Sequence, residues 1–599
     1  MEKYHITRSL GGRLPILVVL VYSASTFSGC GNGSTDKTNQ VLLTSIAVQP
    51  ATLHMMAGTS RQFTAIGTFS DNVSRDITAD VVWNSSDAAK ATVGSEQGSA
   101  GMVTAVGNGA VEISASFGGI VATATVSLVS ISTIPARLVF ARMAVLRMAD
   151  TDQISTIDVK VLTKPGKLSK DVHFSYSLAY LSARAYVDHA AGTVSVPIVG
   201  LYAGYGNKVV VIVTLKNGES LDNLLEIQTE DYTSEWAVSG VEVLQPYLDP
   251  GTSYLLLDTE YSPTILDIDG ETRWQFYEPN KSVGPTQIDN GSVLIGTLSN
   301  IFRVNFLGEV VEEHRVPDIR YHLFNHNFDA GKFGIFGTML LRIDRNSMKP
   351  GSVLLEVSRE AEILGTWDFD EIFRGAIRAA GEDPSGFVQM NVDWFHINSS
   401  AYSARDDSII VSSRENFVVK VDYSTGKIRW ILGNPGKMWY QKYPLSLRPL
   451  ALSLSGNAPI GQHAISIVGS DELPNQQILL FNNGLGNSYL PNIGDDRTYS
   501  AISLYEIDES SMTATEVWTF ENNREFFSPT CSSVYKTAAG DYLIDYSMTD
   551  DNRNAIIMVV DAGGTVKFKM KIPKRTMDIA SCNTAYRARE IRMENFRLH

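Results

Sequence analysis

Tyr423-Ser424-Thr425-Gly426-Lys427-Ile428-Arg429-Trp430 is the clearest copy of a repeated unit, a polar turn followed by a short strand that carries an aromatic residue. Similar units end at five other residues of the same region, one of them a histidine: Trp274, His314, Trp367, Trp518 and Phe568. Successive ends lie 40, 53, 63, 88 and 50 residues apart, and every interval has room for four strands. Apolar strands precede the units, at 254–257, 292–296, 333–336, 408–411, 477–481 and 541–544.

Six units of four strands close into a ring without open sheet edges. Residues 240–595 are therefore predicted to form a six-bladed β-propeller. A ring of seven or eight blades, with a blade hidden from this pattern, is the alternative.

The region before the propeller contains shorter alternating strands, which predict two small β-sandwich domains at residues 43–130 and 135–235. Trp83 is a predicted core residue of the first domain. The segments 63–71, 76–78 and 83–87 resemble the bacterial Ig-like group 2 domain, which implies a spacer or adhesive module rather than a catalytic one. The fold class predicted for the chain is all-β.

The first thirty residues predict export. Cationic residues at positions 3, 8 and 13 precede an apolar run at 14–21 and the sequence Phe27-Ser28-Gly29-Cys30. This order resembles a bacterial lipoprotein signal, which implies removal of residues 1–29, lipidation of Cys30 and a polar tether over residues 30–42. We expect an exported bacterial lipoprotein, periplasmic or held at the outer membrane by its lipid anchor; a plain secretory peptide is the alternative.

Two further cysteines, Cys531 and Cys582, remain in the exported chain. An oxidising compartment permits them to form a disulfide, and two free buried thiols are the alternative. Two sulfurs are too few for a structural zinc site.

The composition of the 599 residues excludes several classes of protein. With 44% hydrophobic and 19% charged residues, the chain can bury large cores, which excludes a disordered, collagen-like or multi-span membrane protein. The net charge of -15 gives no basic surface for nucleic acid. An anionic substrate therefore needs a local cationic pocket.

Three of the ten histidines occupy similar positions in successive repeats. His326, His396 and His463 each precede the apolar strand of their repeat. The innermost strands of a propeller line its central channel, so we expect these side chains to converge there. Arg414 follows the apolar strand 408–413 in the repeat of His396, and it is the predicted cation of the same site.

The residues around this site resemble the bacterial arylsulfate sulfotransferase family. The resemblance rests on Asp393 to Ser399, Ser412-Ser413-Arg414, Tyr423 to Gly433, Gly461-Gln462-His463 and Leu479 to Gly484. It implies a six-bladed propeller that transfers a sulfuryl group from a phenolic sulfate donor to a phenolic acceptor, without a nucleotide donor, a cofactor or a metal. It also implies a homodimer.

The resemblance assigns a role to each candidate residue. His463 is expected to attack sulfur in a ping-pong mechanism with a sulfohistidine intermediate, a reaction suited to a neutral imidazole. Arg414 is expected to bind the charged oxygens of the sulfuryl group, with hydrogen bonds from His396 and Asn398. His326 or His396 is expected to act as acid and base for the phenols.

Two positions depart from the family pattern. Glu415 follows Arg414, where a neutral or basic residue is expected, and it would weaken an anion pocket if it pointed inward. Asn327 follows His326, where an acidic residue is expected. His322 is the alternative to His326 as the third site histidine.

Two other functions are compatible with the sequence. The propeller could be a non-catalytic module that binds surface glycans or a protein partner, because a fold does not determine function. It could also be a sulfatase-like hydrolase, or an ester hydrolase with a metal on three histidines, although the sequence around these histidines lacks the carboxylates that usually orient metal ligands.

Overall fold

The structure is a computed structural model that describes residues 41–248, 253–259, 262–277, 286–289, 291–297, 299–318, 321–344, 347–389, 392–469, 473–486, 496–575, 582 and 584–593. The predicted signal peptide, Cys30 and nearly all of the predicted tether lie outside these residues. Within the described part of the chain, no helix is both long and apolar enough to cross a membrane.

The first β-sandwich is built around Trp83, as predicted. Trp83 is buried, and its indole N–H donates to the carbonyl of Thr78 at 2.9 Å. The strands of this sandwich are Leu43–Gln49, Thr52–Met56, Ser60–Gln62, Thr64–Phe69, Ser74–Asp76, Val82–Ser85, Ala91–Val93, Met102–Ala105 and Gly109–Phe117, with the first part of Ile120–Pro135.

The strand Ile120–Pro135 is shared by both sandwiches. It pairs with Gly109–Phe117 in the first sandwich and with Ala141–Arg147 in the second. Residues 131–134, which lie between the two predicted domains, are part of this strand. Alternating apolar and hydroxyl side chains favour extended structure through this interval, so the two sandwiches are joined by a continuous strand.

The second sandwich packs against the propeller. Its strands are Ala141–Arg147, Ile154–Val161, Val172–Ser177, Val187–Asp188, Thr193–Val199, Gly206–Leu215 and Ser220–Gln228, with one helix, Leu178–Ala183. Its core is continuous with Trp274, Phe302 and Phe306 of the propeller. The guanidinium of Arg273 also donates to the carbonyl of Gly200.

The described residues after position 253 form six sheets with four antiparallel strands each; the strands of five sheets come from one repeat, and the first sheet takes its inner strand from the end of the chain. From the inner to the outer edge, the first sheet is Arg587–Ile591, Tyr254–Asp258, Thr264–Asp267 and Thr272–Gln275, and the second is Thr286–Asp289, Ser292–Gly296, Asn300–Asn305 and Val310–Arg315. The third is Tyr321–Ala330, Ile335–Asp344, Ser347–Val357 and Ile363–Asp368, and the fourth is Ile397–Ser403, Ser408–Ser413, Phe417–Asp422 and Ile428–Gly433. The fifth is His463–Val468, Gln476–Asn482, Ala501–Asp508 and Thr513–Phe520, and the sixth is Ser533–Lys536, Tyr542–Thr549, Asn554–Val560 and Val566–Pro573.

The other elements lie at the periphery of these sheets. Glu242–Gln245 and Ser453–Ser455 add outer strands to the sixth and fifth sheets. The helices Phe369–Ala379 and Met438–Gln441 lie in connections next to the fourth sheet.

The inner strands contact one another in sequence order and close a ring. Contacts join the inner strands of the second to sixth sheets, and the sixth contacts the closing strand Arg587–Ile591. Arg587 then binds Asp258 of the first sheet and the carbonyl of Thr286 of the second. The all-β class, the two sandwiches and the propeller arrangement predicted from the sequence are confirmed.

The repeated aromatic unit marks the outer strand of each sheet. Each aromatic residue lies on the fourth strand of its sheet counted from the channel, as does His314: Trp274, Trp367, Trp430, Trp518 and Phe568. The apolar segments that precede these units overlap the strands next to the inner ones, although residues 333–334 and 541 lie just before theirs. The residues upstream of those apolar segments therefore lie at the channel, as the position of the histidines predicts.

Candidate active site

Three consecutive sheets each place one histidine at the channel. His326 lies within the inner strand Tyr321–Ala330, His396 immediately precedes Ile397–Ser403, and His463 begins His463–Val468. The ring centroid of His326 lies 4.8 Å from that of His396 and 6.4 Å from that of His463. The structure therefore brings together the three histidines predicted from their sequence positions.

Left-handed backbone conformations turn these side chains inward. The φ angles of His326, His396 and Ala464 are 60°, 51° and 52°. The pairing register of each inner strand breaks beside these residues. Such bulges re-aim side chains, and a left-handed residue other than glycine costs about 1–3 kcal/mol, so the surrounding fold must maintain the conformation.

The ring of His463 has a fixed tautomer. Its Nδ1 lies 2.9 Å from the carbonyl of Gly461 and 2.8 Å from Oδ1 of Asn483. The amide nitrogen of Asn483 donates to the carbonyls of Ser528 and Cys531, which identifies the atom facing His463 as oxygen. Because both neighbours of Nδ1 are acceptors, Nδ1 carries the proton and Nε2 carries the lone pair.

Burial keeps His463 neutral. Its side chain is 2% exposed, and burial, reinforced by the charge of Arg414, lowers its pKa to about 3. Burial also holds the pKa of His326 well below its ordinary value, with further contributions from His396 and His463. A buried imidazole that keeps an unprotonated Nε2 near neutral pH has the properties of a nucleophile.

His396 lies between a carboxylate and a second imidazole. Its Nδ1 binds Oδ2 of Asp393, and its Nε2 lies 3.0 Å from Nε2 of His326. Gly351 makes room for this arrangement, because a β-carbon there would collide with Oδ1 of Asp393. Its φ of 62° also favours glycine.

Arg414 provides the positive charge of the site. It acts electrostatically on His463 and His326, and its backbone N–H donates to the carbonyl of His396 at 3.0 Å. Glu415 is fully buried, and its Oε1 binds Nε and Nη2 of Arg414 at 2.9 and 2.6 Å. Glu415 thus orients the guanidinium.

A second cation lies behind this pair. Nζ of Lys437 donates to the carbonyl of Glu415 at 2.7 Å. Burial lowers the pKa of Lys437 to about 8. Lys437 therefore adds positive charge behind the Arg414–Glu415 pair when it is protonated.

The remaining predicted residues have different surroundings. Asn398 is fully buried and donates its amide to the carbonyl of Gln462 at 2.7 Å, which joins the fourth and fifth sheets. Cys531 and Cys582 form a disulfide. The side chain of His322 lies outside what the structure describes, and so does the predicted lipidation site, Cys30. No three His, Cys, Asp or Glu side chains in the described ranges are arranged to hold a metal ion.

Sequence reasoning missed three supporting roles. Asp393 and Asn483 both lie inside segments that carry the family resemblance, but their contacts with imidazole nitrogens depend on the fold. Tyr586 had no sequence signal. It lies just before the closing strand, and its hydroxyl is 2.8 Å from Nδ1 of His326.

Comparisons with known proteins identify the family of each domain. Residues 228–587 match the arylsulfotransferase (ASST) family model, residues 144–230 match the arylsulfotransferase Ig-like domain, and residues 43–126 match the bacterial Ig-like domain (group 2). The chain is 24% identical over 499 residues to arylsulfate sulfotransferase AssT of Escherichia coli O6:H1, covering 65% of this chain and 80% of that protein.

A second arylsulfate sulfotransferase and one solved structure are also similar to this chain. The chain is 23% identical over 556 residues to arylsulfate sulfotransferase AssT of Lelliottia amnigena, covering 74% of this chain and 89% of that protein. Among solved structures, the WD40 domain of Toxoplasma gondii coronin aligns with a TM-score of 0.29 and 10% identity, over 56% of this chain and 77% of that one.

Proposed function

The chain belongs to the arylsulfotransferase family, and from this premise we propose that it transfers the sulfuryl group in two steps through a sulfohistidine at His463. The protein is a sulfotransferase enzyme that acts on aryl sulfates. The observation that carries the proposal is the pair of acceptors around Nδ1 of His463, which leaves the lone pair on Nε2. A phenolic sulfate is the proposed donor and a second phenol the proposed acceptor.

In the first step, Nε2 of His463 forms a bond to sulfur while the bond from sulfur to the aryl oxygen breaks. The electron pair of the broken bond goes to the departing oxygen, which then takes a proton. In the second step, the oxygen of the acceptor phenol forms the bond to sulfur, the N–S bond breaks, and the acceptor loses its proton. Nδ1–H donates to Gly461 and Asn483, and these contacts stabilise positive charge on the substituted ring.

Arg414 is proposed to hold the sulfuryl oxygens. A guanidinium fixed in orientation binds charged oxygens without reorganising during the reaction, and this kind of stabilisation is usually the largest catalytic effect. The ion pair with Glu415 supports that fixed orientation. We propose that the hydrogen-bonded pair His326 and His396, whose Nε2 atoms lie 3.0 Å apart, takes part in the proton transfers to and from the phenols.

The test uses 4-nitrophenyl sulfate and the chain without residues 1–30, in the presence of EDTA. We expect nitrophenol release that depends on added phenol, and a sulfuryl adduct on His463 detected by peptide mass spectrometry after donor alone. His463→Ala should abolish both, while His173→Ala, on the exposed surface of the second sandwich, should change neither.

Other outcomes would favour the other functions. Release that ignores the phenol acceptor would indicate a hydrolase, and release that EDTA abolishes would indicate a metal-dependent one. No release with any phenolic acceptor would indicate a binding module.

We also propose that the enzyme works outside the cytoplasm, as a lipoprotein anchored through Cys30 and assembled as a homodimer. The disulfide between Cys531 and Cys582 supports an oxidising compartment, because such bonds are rare in reducing cytosol. Incorporation of labelled lipid into the wild-type chain but not into Cys30→Ser tests the anchor, and sedimentation of the truncated chain tests the dimer.

A further inference from the structure

A chain of four hydrogen-bonded side chains runs beside His463. The hydroxyl of Tyr586 lies 2.8 Å from Nδ1 of His326, and Nε2 of His326 lies 3.0 Å from Nε2 of His396. Nδ1 of His396 binds Oδ2 of Asp393. Every ring nitrogen of the two imidazoles is thus used within this chain.

The carboxylate at one end determines where each proton lies when both imidazoles are neutral. A carboxylate only accepts, so Nδ1 of His396 is protonated and its Nε2 accepts from Nε2–H of His326. Nδ1 of His326 is then a lone pair, which accepts from the hydroxyl of Tyr586. All donors in the neutral chain point from Tyr586 towards Asp393.

One added proton reverses two of the three hydrogen bonds and leaves the bond from Nδ1–H of His396 to Asp393 unchanged. A doubly protonated His396 donates from Nε2 to His326, which in turn donates from Nδ1 to the oxygen of Tyr586. The hydroxyl proton of Tyr586 is then free to point away from His326. The carboxylate of Asp393 compensates the charge of the protonated ring, as in other aspartate–histidine pairs.

We propose that this chain stores and delivers the phenol proton of the transfer reaction, with Tyr586 as the catalytic acid and base and Asp393 as a positioning residue. The inference rests on the proposed transfer through His463. As the bond from sulfur to the aryl oxygen breaks, Tyr586 gives its proton to that oxygen and takes one from Nδ1 of His326. Nε2 of His326 in turn takes the proton of Nε2 of His396, which leaves the neutral chain. The acceptor phenol reverses these transfers.

The surroundings of Tyr586 support this role. The ring of His326 lies between Tyr586 and the nucleophile, with its centroid 5.6 Å from that of Tyr586 and 6.4 Å from that of His463. The charge of Arg414 acts on both Tyr586 and His463. Burial raises the pKa of Tyr586, opposed by Arg587 and reinforced by Asp329, and the phenol therefore remains protonated between turnovers. A phenol that stays protonated competes poorly with the substrate phenol for the sulfuryl group.

The test compares two donors that differ in their need for a proton. The leaving group of phenyl sulfate is a basic phenolate that requires protonation, whereas 4-nitrophenolate leaves without it. In single-turnover experiments, Tyr586→Phe should slow phenol release from phenyl sulfate by about 10²–10⁴-fold, the usual contribution of general acid catalysis. The same variant should slow release from 4-nitrophenyl sulfate far less. Asp393→Asn should show the same selective loss.

Two matched substitutions serve as controls. Tyr546→Phe removes a buried hydroxyl that has no hydrogen-bond partner among the described residues, and Asp383→Asn changes a carboxylate that caps a short helix through Ser385. Neither should affect either donor. Gly351→Ala should displace Asp393 and reproduce the loss seen in Asp393→Asn.

The outcomes distinguish the role of the hydrogen-bonded chain from the proposed function. Equal loss of rate with both donors, or no loss with either, would overturn the role of the chain in proton transfer while the sulfuryl adduct on His463 still forms. Absence of that adduct in the wild-type enzyme would overturn the proposed function itself. If Tyr586→Phe fails to fold, the ratio of the two donor rates in Asp393→Asn and Gly351→Ala decides.

Discussion

Acidification from about pH 8 to about pH 4.5 should leave the rate of attack by His463 on sulfur almost unchanged, although histidines ordinarily become protonated and lose nucleophilicity over this range. The nucleophile must be neutral, and the pKa of His463 is lowered to about 3 by burial and by Arg414. Its side chain is 2% exposed, and both acceptors of Nδ1–H are buried with it. Lowering the pH from about 8 to about 4.5 should therefore not protonate Nε2.

The expected difference in rate between His463 and an ordinary histidine follows from the pKa of His463. At about pH 4.5, a group with a pKa of about 3 is roughly 97% neutral, whereas a histidine with a pKa of about 6.5 is roughly 1% neutral. Ordinary behaviour would thus slow the first step about 100-fold, and the structure predicts almost no slowing. The sign is that of a base with a depressed pKa, whose neutral form persists to lower pH.

The assay is the single-turnover burst of nitrophenol from 4-nitrophenyl sulfate, quenched with alkali and measured over this pH range. This donor removes the need for acid catalysis, so the burst reports the attack alone. Enzyme held at acid pH and returned to neutral pH before the assay controls for unfolding. A burst rate that falls tenfold per pH unit below about pH 6.5 would refute the assignment of a neutral, buried nucleophile.

Three substitutions test the supports of the site. Arg414→Lys should reduce the burst rate by about 10²–10³-fold, because an ammonium does not reproduce the planar donors of the guanidinium, and an unchanged rate would exclude Arg414 from oxyanion binding. Asn483→Leu leaves the buried carbonyl of Cys531 without its amide donor, whereas the carbonyl of Ser528 keeps the hydroxyl of Ser500. The substitution should lower the free energy of unfolding by about 1–3 kcal/mol, measured by denaturant titration, and a change below the error of that titration would contradict these contacts. Arg587→Met removes the short ion pair of the buried Asp258 and leaves it the longer contact with Arg589 at 3.5 Å. The substitution should cost about 3–5 kcal/mol in the same assay, so unaltered stability would mean that the Arg587–Asp258 pair does not hold the ring closed.

The sequence predicted the fold well because repetition is visible in it. Each outer strand carries an aromatic residue or a histidine at the same place, and each is preceded by an apolar strand. The closing strand Arg587–Ile591 could not be found in this way, because it completes the first sheet from the far end of the chain. Its three charged residues, one of them a buried arginine, also distinguish it from the apolar strands that carry the repeat.

The sequence predicted the histidines of the site, which recur in the repeats, but not the hydrogen-bond partners that contact them. His326, His396 and His463 share a position in three repeats, and that position is enough to predict that they meet. Their hydrogen-bond partners follow from bulges and left-handed residues, which shift side chains by amounts that the sequence pattern does not encode. Glu415 was expected to weaken the anion site if it pointed inward, and the sequence did not indicate that its Oε1 binds Nε and Nη2 of Arg414.

Closure of the ring and completion of the site depend on the same few residues. Arg587 joins the closing strand to Asp258 and to the carbonyl of Thr286, and the adjacent residue, Tyr586, contacts His326. Asn483, which orients His463, binds the carbonyl of Cys531, whose sulfur is bonded to Cys582 just before the closing strand. The hydrogen bonds of His326 and His463 thus depend on the segment that closes the propeller. A chain that has folded five sheets but has not closed the first lacks the Tyr586 contact, so the full set of site contacts forms only when the ring is complete.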